Sequence, residues 1–145
     1  MSSIVRQLMR AGNSAAVALY RRTGGRLGGS VRGIPLLLLT IPGRTTGVPR
    51  TVAVASFEHE GSYLVVGSAG GSKHDPQWMK NLRATGSAHI EIAGRQREVT
   101  VRIAEPAERD ALWSTVVVPQ APFFAGYERK AGRVIPIALL TPSDV

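Results

Sequence analysis

The run Ile34-Pro35-Leu36-Leu37-Leu38-Leu39-Thr40-Ile41, closed by Pro42-Gly43, constrains the fold more than any other stretch of this chain. It is too short to span a membrane and is bounded by turn residues, so it predicts a strand buried on both faces. Thr51 to Phe57 and Tyr63 to Val66 predict two more strands, separated by a hairpin turn at Glu58-His59-Glu60-Gly61-Ser62. Ser87 to Ala93 and Arg97 to Ile103 alternate in polarity around Ala93-Gly94-Arg95. Val99, Val101 and Ile103 share one face of that second hairpin.

Glu105-Pro106 starts a helix expected to run to about Val117, where Pro119 and Pro122 break it. A short aromatic helix follows over Phe123 to Lys130, and Val134 to Leu140 predicts the last strand. Six strands with short helices between them predict an α+β, mostly β fold: a small closed or split β-barrel rather than a doubly wound parallel sheet. Residues 34–145 form this barrel, and residues 1–33 a basic N-terminal helix and glycine-rich connector.

In that first segment Ile4, Leu8, Ala11, Ala15 and Leu19 recur at helical spacing, with Arg6, Gln7, Arg10 and Asn13 off the stripe. Two readings stay open for residues 4–22. The helix either rests on an anionic membrane face or covers a site as a lid, or it simply packs on the barrel. Gly24-Gly25-Arg26-Leu27-Gly28-Gly29 lacks the spacing and the preceding strand of a dinucleotide fingerprint and reads as a linker.

At 145 residues the chain suffices for one domain that buries about two-thirds of its unfolded surface. It has no cysteine, which excludes disulfides, thiolate metal sites and cysteine nucleophiles and fits a reducing, cytoplasmic setting. His59, His74 and His89 show no metal-ligand spacing, so no metal is expected. The net charge of +8 lies wholly in residues 1–57, which hold eight arginines and no acidic residue. The anion-seeking surface is therefore local. No zinc finger, aromatic RNA-binding strand or clear helix-turn-helix accompanies it, so nucleic acid is not the expected partner.

Two stretches carry candidate anion chemistry. Gly43-Arg44-Thr45-Thr46-Gly47-Val48-Pro49-Arg50 sets two arginine forks and two hydroxyls on a hairpin tip; without a lysine and the longer glycine spacing it is not a P-loop. Gly67-Ser68-Ala69-Gly70-Gly71-Ser72-Lys73-His74-Asp75-Pro76-Gln77-Trp78-Met79-Lys80-Asn81-Leu82 reads as a glycine turn feeding a helix. Asp75 is its expected N-cap, Pro76 its first residue, and Lys73 a mobile charge nearby. An ordinary surface hairpin and strand-to-helix connection, with Trp78 and Met79 as core, is the alternative.

These stretches, with the closing Tyr127-Glu128-Arg129-Lys130-Ala131-Gly132-Arg133-Val134-Ile135-Pro136, resemble the deazaflavin-dependent nitroreductase family of actinobacteria over roughly residues 34 to 142. The resemblance implies a split barrel, akin to the flavin-reductase and FMN-binding barrels. It would bind the 8-hydroxy-5-deazaflavin coenzyme F-420 and pass a hydride from its reduced form to a quinone or nitroaromatic. By that resemblance Arg44, Thr45, Thr46 and Arg50 hold the anionic tail, and Ser68, Ala69, Gly70 and Gly71 form the backbone loop beside it. Trp78, Met79 and Asn81 line the adjoining helix, and Tyr127 overlooks the acceptor. This chain has Thr45 and Ala69 where many members place lysine, and Phe124 where a tyrosine is often found. FMN is the alternative cofactor, a non-catalytic cofactor carrier the alternative role, and a monomer the expected state.

Overall fold

A computed structural model describes residues 14–26 and 29–143. Its frame is a seven-stranded antiparallel sheet in the order β1 (Ser30–Val31), β2 (Ile34–Pro42), β3 (Pro49–His59), β4 (Ser62–Val66), β7 (Ile137–Pro142), β6 (Arg95–Ile103), β5 (Ser87–Ile92). β2 also pairs with β5, through Leu38↔Glu91, Leu39↔Ile90 and Thr40↔His89, which closes β2 to β7 into a six-stranded barrel. The helices are α1 (residues 14–23), α2 (Gln77–Arg83), α3 (Pro106–Leu112) and α4 (Phe123–Ala131).

Why Leu37, Leu38 and Leu39 are all buried follows from the two-residue period of a strand. Leu37, Leu39 and Ile41 point into the barrel with Val54, Val65, Ile90, Val99, Ala138 and Leu140, and α2 plugs that interior with Met79 and Leu82. Leu38 points outward, beneath Val17 and Tyr20 of α1. On the far side Leu64, Val66, Ile137 and Leu139 face outward and are covered by Trp113, Val116, Val117 and Phe124. Each such apolar side chain contributes about 1.5–3 kcal/mol by leaving water. The barrel thus has an inner core and two outer ones, and the central strands need apolar residues on both faces.

The hairpins follow local rules. Glu60-Gly61 and Ala93-Gly94 both take positive φ (49° and 81°; 50° and 81°), the pair of left-handed residues that a two-residue turn between twisted strands requires. β1, absent from the sequence reading, arises the same way: Arg32 and Gly33 (φ 51° and 80°) turn Ser30–Val31 back onto Ile34–Pro35.

Several local expectations are corrected. The buried face of α1 is Val17 and Tyr20, whereas Ala15 and Leu19 of the expected stripe are exposed; residues 4–13 lie outside the described residues. Pro119 does not break the third helix at Val117. A π-helical turn over Trp113–Val117, with the Val118 N–H donating to the Trp113 carbonyl, widens the coil enough to carry the proline through to Gln120. The last strand begins at Ile137 rather than Val134, which is 70% exposed. Asp75 is not the N-cap of α2. Pro76 occupies that position with extended ψ of 157° and no side-chain cap, because the Asp75 carboxylate is held by Arg133 (2.7 Å) and Arg83 (3.5 Å).

Candidate functional site

The β2–β3 hairpin tip is held by its own backbone: the Gly43 N–H donates to the Val48 carbonyl (2.9 Å) and the Gly47 N–H to the Gly43 carbonyl (2.8 Å). Arg44 leaves this tip and meets α2. Its backbone N–H and Nη1 both donate to Asn81 Oδ1, at 3.1 and 2.8 Å, and Nη2 donates to Gln77 Oε1 at 2.9 Å. These acceptors are neutral amides, so the guanidinium is fixed in place with its charge intact. Thr46 Oγ1 accepts from the Val48 N–H at 3.2 Å. Thr45 and Arg50 are exposed on the same tip.

α2 ties the hairpin to the glycine turn. Asn81 is buried, facing Arg44; Met79 is wholly buried among interior side chains, and a side chain added at Gly67 would meet its Cε at 3.0 Å. Met79 is therefore part of the barrel core and shores up the strand end at Gly67. Trp78 is half-buried at the rim of the same cluster.

The turn itself is unusual backbone. Ser68 is right-handed (φ −77°, ψ −32°), and Ala69, Gly70 and Gly71 all follow with positive φ of 47°, 64° and 88°. Two hydrogen bonds close it, from the Gly71 N–H to the Ser68 carbonyl (2.9 Å) and from the Ser72 N–H to the Ala69 carbonyl (3.1 Å). A right-handed residue followed by a left-handed one turns successive N–H groups to one side, the arrangement that makes an anion-binding concavity. Ala69 and Gly70 are exposed, as is Lys73.

The fourth element is α4 and the residues after it. Tyr127 packs edge-on against Phe123 and Phe124, with centroids 5.8 and 5.5 Å apart, and remains half-exposed. Phe124 is buried between Phe57 and Trp113, so a tyrosine hydroxyl at that position would sit in the outer core. One turn beyond Tyr127, the Lys130 stem lies over Gly71, and its Nζ reaches 3.5 Å from the Gly70 carbonyl.

Arg133 was missed by sequence reasoning. Its Nε donates to the Ser72 carbonyl (3.0 Å), Nη1 to Asp75 Oδ1 (2.7 Å), and Nη2 to the carbonyls of Gly67 (3.1 Å), Ser68 (3.3 Å) and His74 (3.1 Å). The one local signal is Gly132, whose left-handed φ of 63° caps α4 and reverses the chain so that Arg133 points back at the turn.

Hairpin tip, α2, glycine turn and α4 are thus linked by direct contacts, whereas two recesses among the described residues lie elsewhere. One, of about 570 Å³, is lined by Glu58, His59, Glu60, Ser62, Tyr63 and Arg97 at the opposite end of β4 from Gly67 and holds none of the expected residues. The other, about 430 Å³, lies between α1 and β3 at Ser14, Val17, Ala18, Arg21 and Thr51, next to Arg50.

A closed antiparallel barrel carrying a cationic hairpin, a left-handed glycine turn and an aromatic helix is the architecture of a split barrel. Residues 13–142 match the family model described as F420H(2)-dependent quinone reductase, and the chain belongs to that family. The F420H(2)-dependent quinone reductase Rv1261c of Mycobacterium tuberculosis (strain H37Rv) is 34% identical over 127 residues, covering 86% of this chain and 85% of that protein. A solved structure described as F420-H2 dependent reductase (FDR-A) superposes with a TM-score of 0.65 at 30% identity, over 73% of this chain and 93% of that one. The chain is accordingly an oxidoreductase whose cofactor is coenzyme F-420, in a split-barrel fold. A further solved structure, described as a domain-swapped dimer, matches with a TM-score of 0.68 at 26% identity over 88% of this chain and 94% of that one, and lends the expected monomer no support.

Proposed function

We propose that this chain reduces a quinone with reduced F-420 in a groove bounded by the β2–β3 hairpin, the Ser68–Gly71 turn and Tyr127. The observation that carries the reading is Arg44, held through neutral amides by Asn81 and Gln77 of α2, the helix that follows the Ser68–Gly71 turn. The residues fit the coenzyme, which brings a phosphate, a chain of glutamates and a flat ring. Arg44, Arg50 and Lys73 offset the tail's negative charge, Thr45 and Thr46 offer hydroxyls to it, and the Ser68, Ala69, Gly70 and Gly71 backbone approaches the phosphate. Asn81 positions Arg44, and Trp78 gives the ring an apolar rim.

When bound, the reduced deazaflavin supplies the hydride. The protein holds donor and acceptor in register and excludes water between them, which itself accounts for much of the acceleration. Tyr127 stands over the expected acceptor place on its aromatic platform, where its hydroxyl can hydrogen-bond the quinone oxygen that gains a proton.

Mixing the protein with reduced F-420 and menadione should turn over the coenzyme, read by its visible absorbance. No change across several quinones would defeat the proposal, and a protein that binds F-420 without turnover would be a carrier. Titration beside FMN should favour F-420; retained yellow flavin with an FMN spectrum would favour the alternative cofactor. Arg50→Ala should weaken F-420 binding by about 1.5 kcal/mol or more, the lower end for a charged hydrogen bond.

We further propose that residues 4–22 rest on the cytoplasmic face of an anionic membrane, the phase in which a lipophilic quinone dissolves. Exposed Arg21, Arg22 and Leu19 on α1 support this reading. Among the described residues no helix is long and apolar enough to cross a membrane. The protein should float with anionic lipid vesicles and not with neutral ones; equal behaviour with both would count against it.

A further inference from the structure

We infer that Arg133 is a positioning residue for cofactor binding, acting through the backbone of residues 67–75 without touching the coenzyme; this rests on the cofactor reading above. Its guanidinium is already committed. The Asp75 carboxylate pairs with Nη1 at 2.7 Å, and four carbonyls, of Gly67, Ser68, Ser72 and His74, take the Nε and Nη2 donors. The side chain is only 16% exposed. A cation so engaged, with its charge offset by a carboxylate, is turned toward the protein backbone and not toward a ligand.

What it does instead follows from the planarity of the peptide bond. In a trans peptide the C=O and the following N–H point in opposite directions, and the described backbone has no cis peptide. By gathering the Gly67 and Ser68 carbonyls on one side, Arg133 turns the Ser68 and Ala69 N–H groups toward the other. That is also the sense set by the right-handed to left-handed step from Ser68 to Ala69. The strained left-handed Ala69 is held by this grip, since its own side chain offers no hydrogen bond to compensate. Arg133 therefore presets two backbone donors for the phosphate. The fork geometry is essential: lysine keeps the charge opposite Asp75 but cannot reach carbonyls spread from Gly67 to His74.

The test compares coenzyme F-420 with 8-hydroxy-5-deazariboflavin, which keeps the ring but lacks phosphate and glutamates, by fluorescence titration. Arg133→Lys should weaken F-420 binding at least tenfold and change binding of the tail-less compound less than threefold. Equal losses for both ligands would mean a general structural role, and F-420 affinity within twofold of wild type would mean no role; either overturns the inference. Should Arg133→Lys fail to fold, amide exchange in the wild-type protein decides. Exchange of the Ser68 and Ala69 amides should slow at least tenfold with F-420 and stay unchanged with the tail-less compound; the same response to both ligands overturns the inference. Wild-type protein that binds neither ligand defeats the cofactor reading itself, whereas wild-type binding with an indifferent Arg133→Lys variant defeats the positioning role alone.

Discussion

Asn81 Oδ1 accepts two hydrogen bonds from Arg44, one from its backbone N–H and one from its guanidinium, across 37 residues of sequence. A neutral acceptor immobilises the arginine without cancelling its charge. Asn81→Asp preserves the shape and supplies a carboxylate, so the hairpin should stay in place while its charge is neutralised. Affinity for F-420 should fall at least tenfold, with binding of the tail-less deazaflavin changing much less. Titration of both ligands checks this, and unchanged F-420 affinity would separate Arg44 from the anionic tail.

Ala69 is held at φ +47°, a conformation that costs a residue with a Cβ about 1–2 kcal/mol. Ala69→Gly should relieve part of that strain and raise the unfolding midpoint by about 2–4 °C for each kcal/mol recovered in a domain of this size. Differential scanning calorimetry reads the shift; a lowered midpoint would show that the Ala69 methyl contributes more than its backbone costs.

Arg109 is buried and fully engaged: Nε donates to the Ile135 carbonyl (2.8 Å), Nη1 to Asp110 Oδ1 (3.0 Å), Nη2 to Glu128 Oε2 (2.6 Å), and the guanidinium stacks on Trp113 at 4.4 Å. It fixes α3 to α4 beside Tyr127. Arg109→Ala leaves the Ile135 carbonyl unpaired and removes the cation from Glu128, so stability should drop by about 3 kcal/mol. Denaturant unfolding with an unchanged slope would measure it.

Burial raises the Tyr20 phenol above its ordinary value of 10.0, and the Glu91 carboxylate adds to the rise while the hydrogen bond from Ala93 opposes it. A raised folded value means that Tyr20 stabilises the fold fully below pH 10. Above that the unfolded chain ionises first, and the contribution is lost as pH climbs through the folded value. The wild type should therefore lose stability at the alkaline end more steeply than Tyr20→Phe. The variant is less stable at neutral pH by about 1–3 kcal/mol, because the Leu36 carbonyl and the Ala93 N–H lose their partner. Parallel pH profiles for the two proteins would contradict this.

The barrel was legible because Leu37 to Leu39 and the two glycine hairpins obey short-range rules that the sequence displays directly. What escaped it was set by distant partners. Asp75 has the side chain of an N-cap, yet a guanidinium 58 residues away takes its carboxylate. Pro119 ends an ordinary helix, yet the π-turn at Trp113–Val117 accommodates it under cover of Phe124. On the site, the arginine hairpin and glycine turn stood out by composition; Arg133 did not, since its five acceptors are backbone carbonyls and one carboxylate scattered over residues 67–75.

The same Tyr20 hydroxyl touches β2 at Leu36 and the β5–β6 turn at Ala93, so it spans the line along which the barrel closes. That line is held by three residue pairs, against seven between β2 and β3, and joins segments about fifty residues apart. Hairpins form before such distant strands meet, because closing the longer loop costs more entropy before any contact repays it. The seam is one of the long-range closures of the barrel, another being β4 with β7 through Tyr63↔Leu140 to Val66↔Ile137. Tyr20 acts there as a latch, one hydroxyl tying α1 to both sides of the closure.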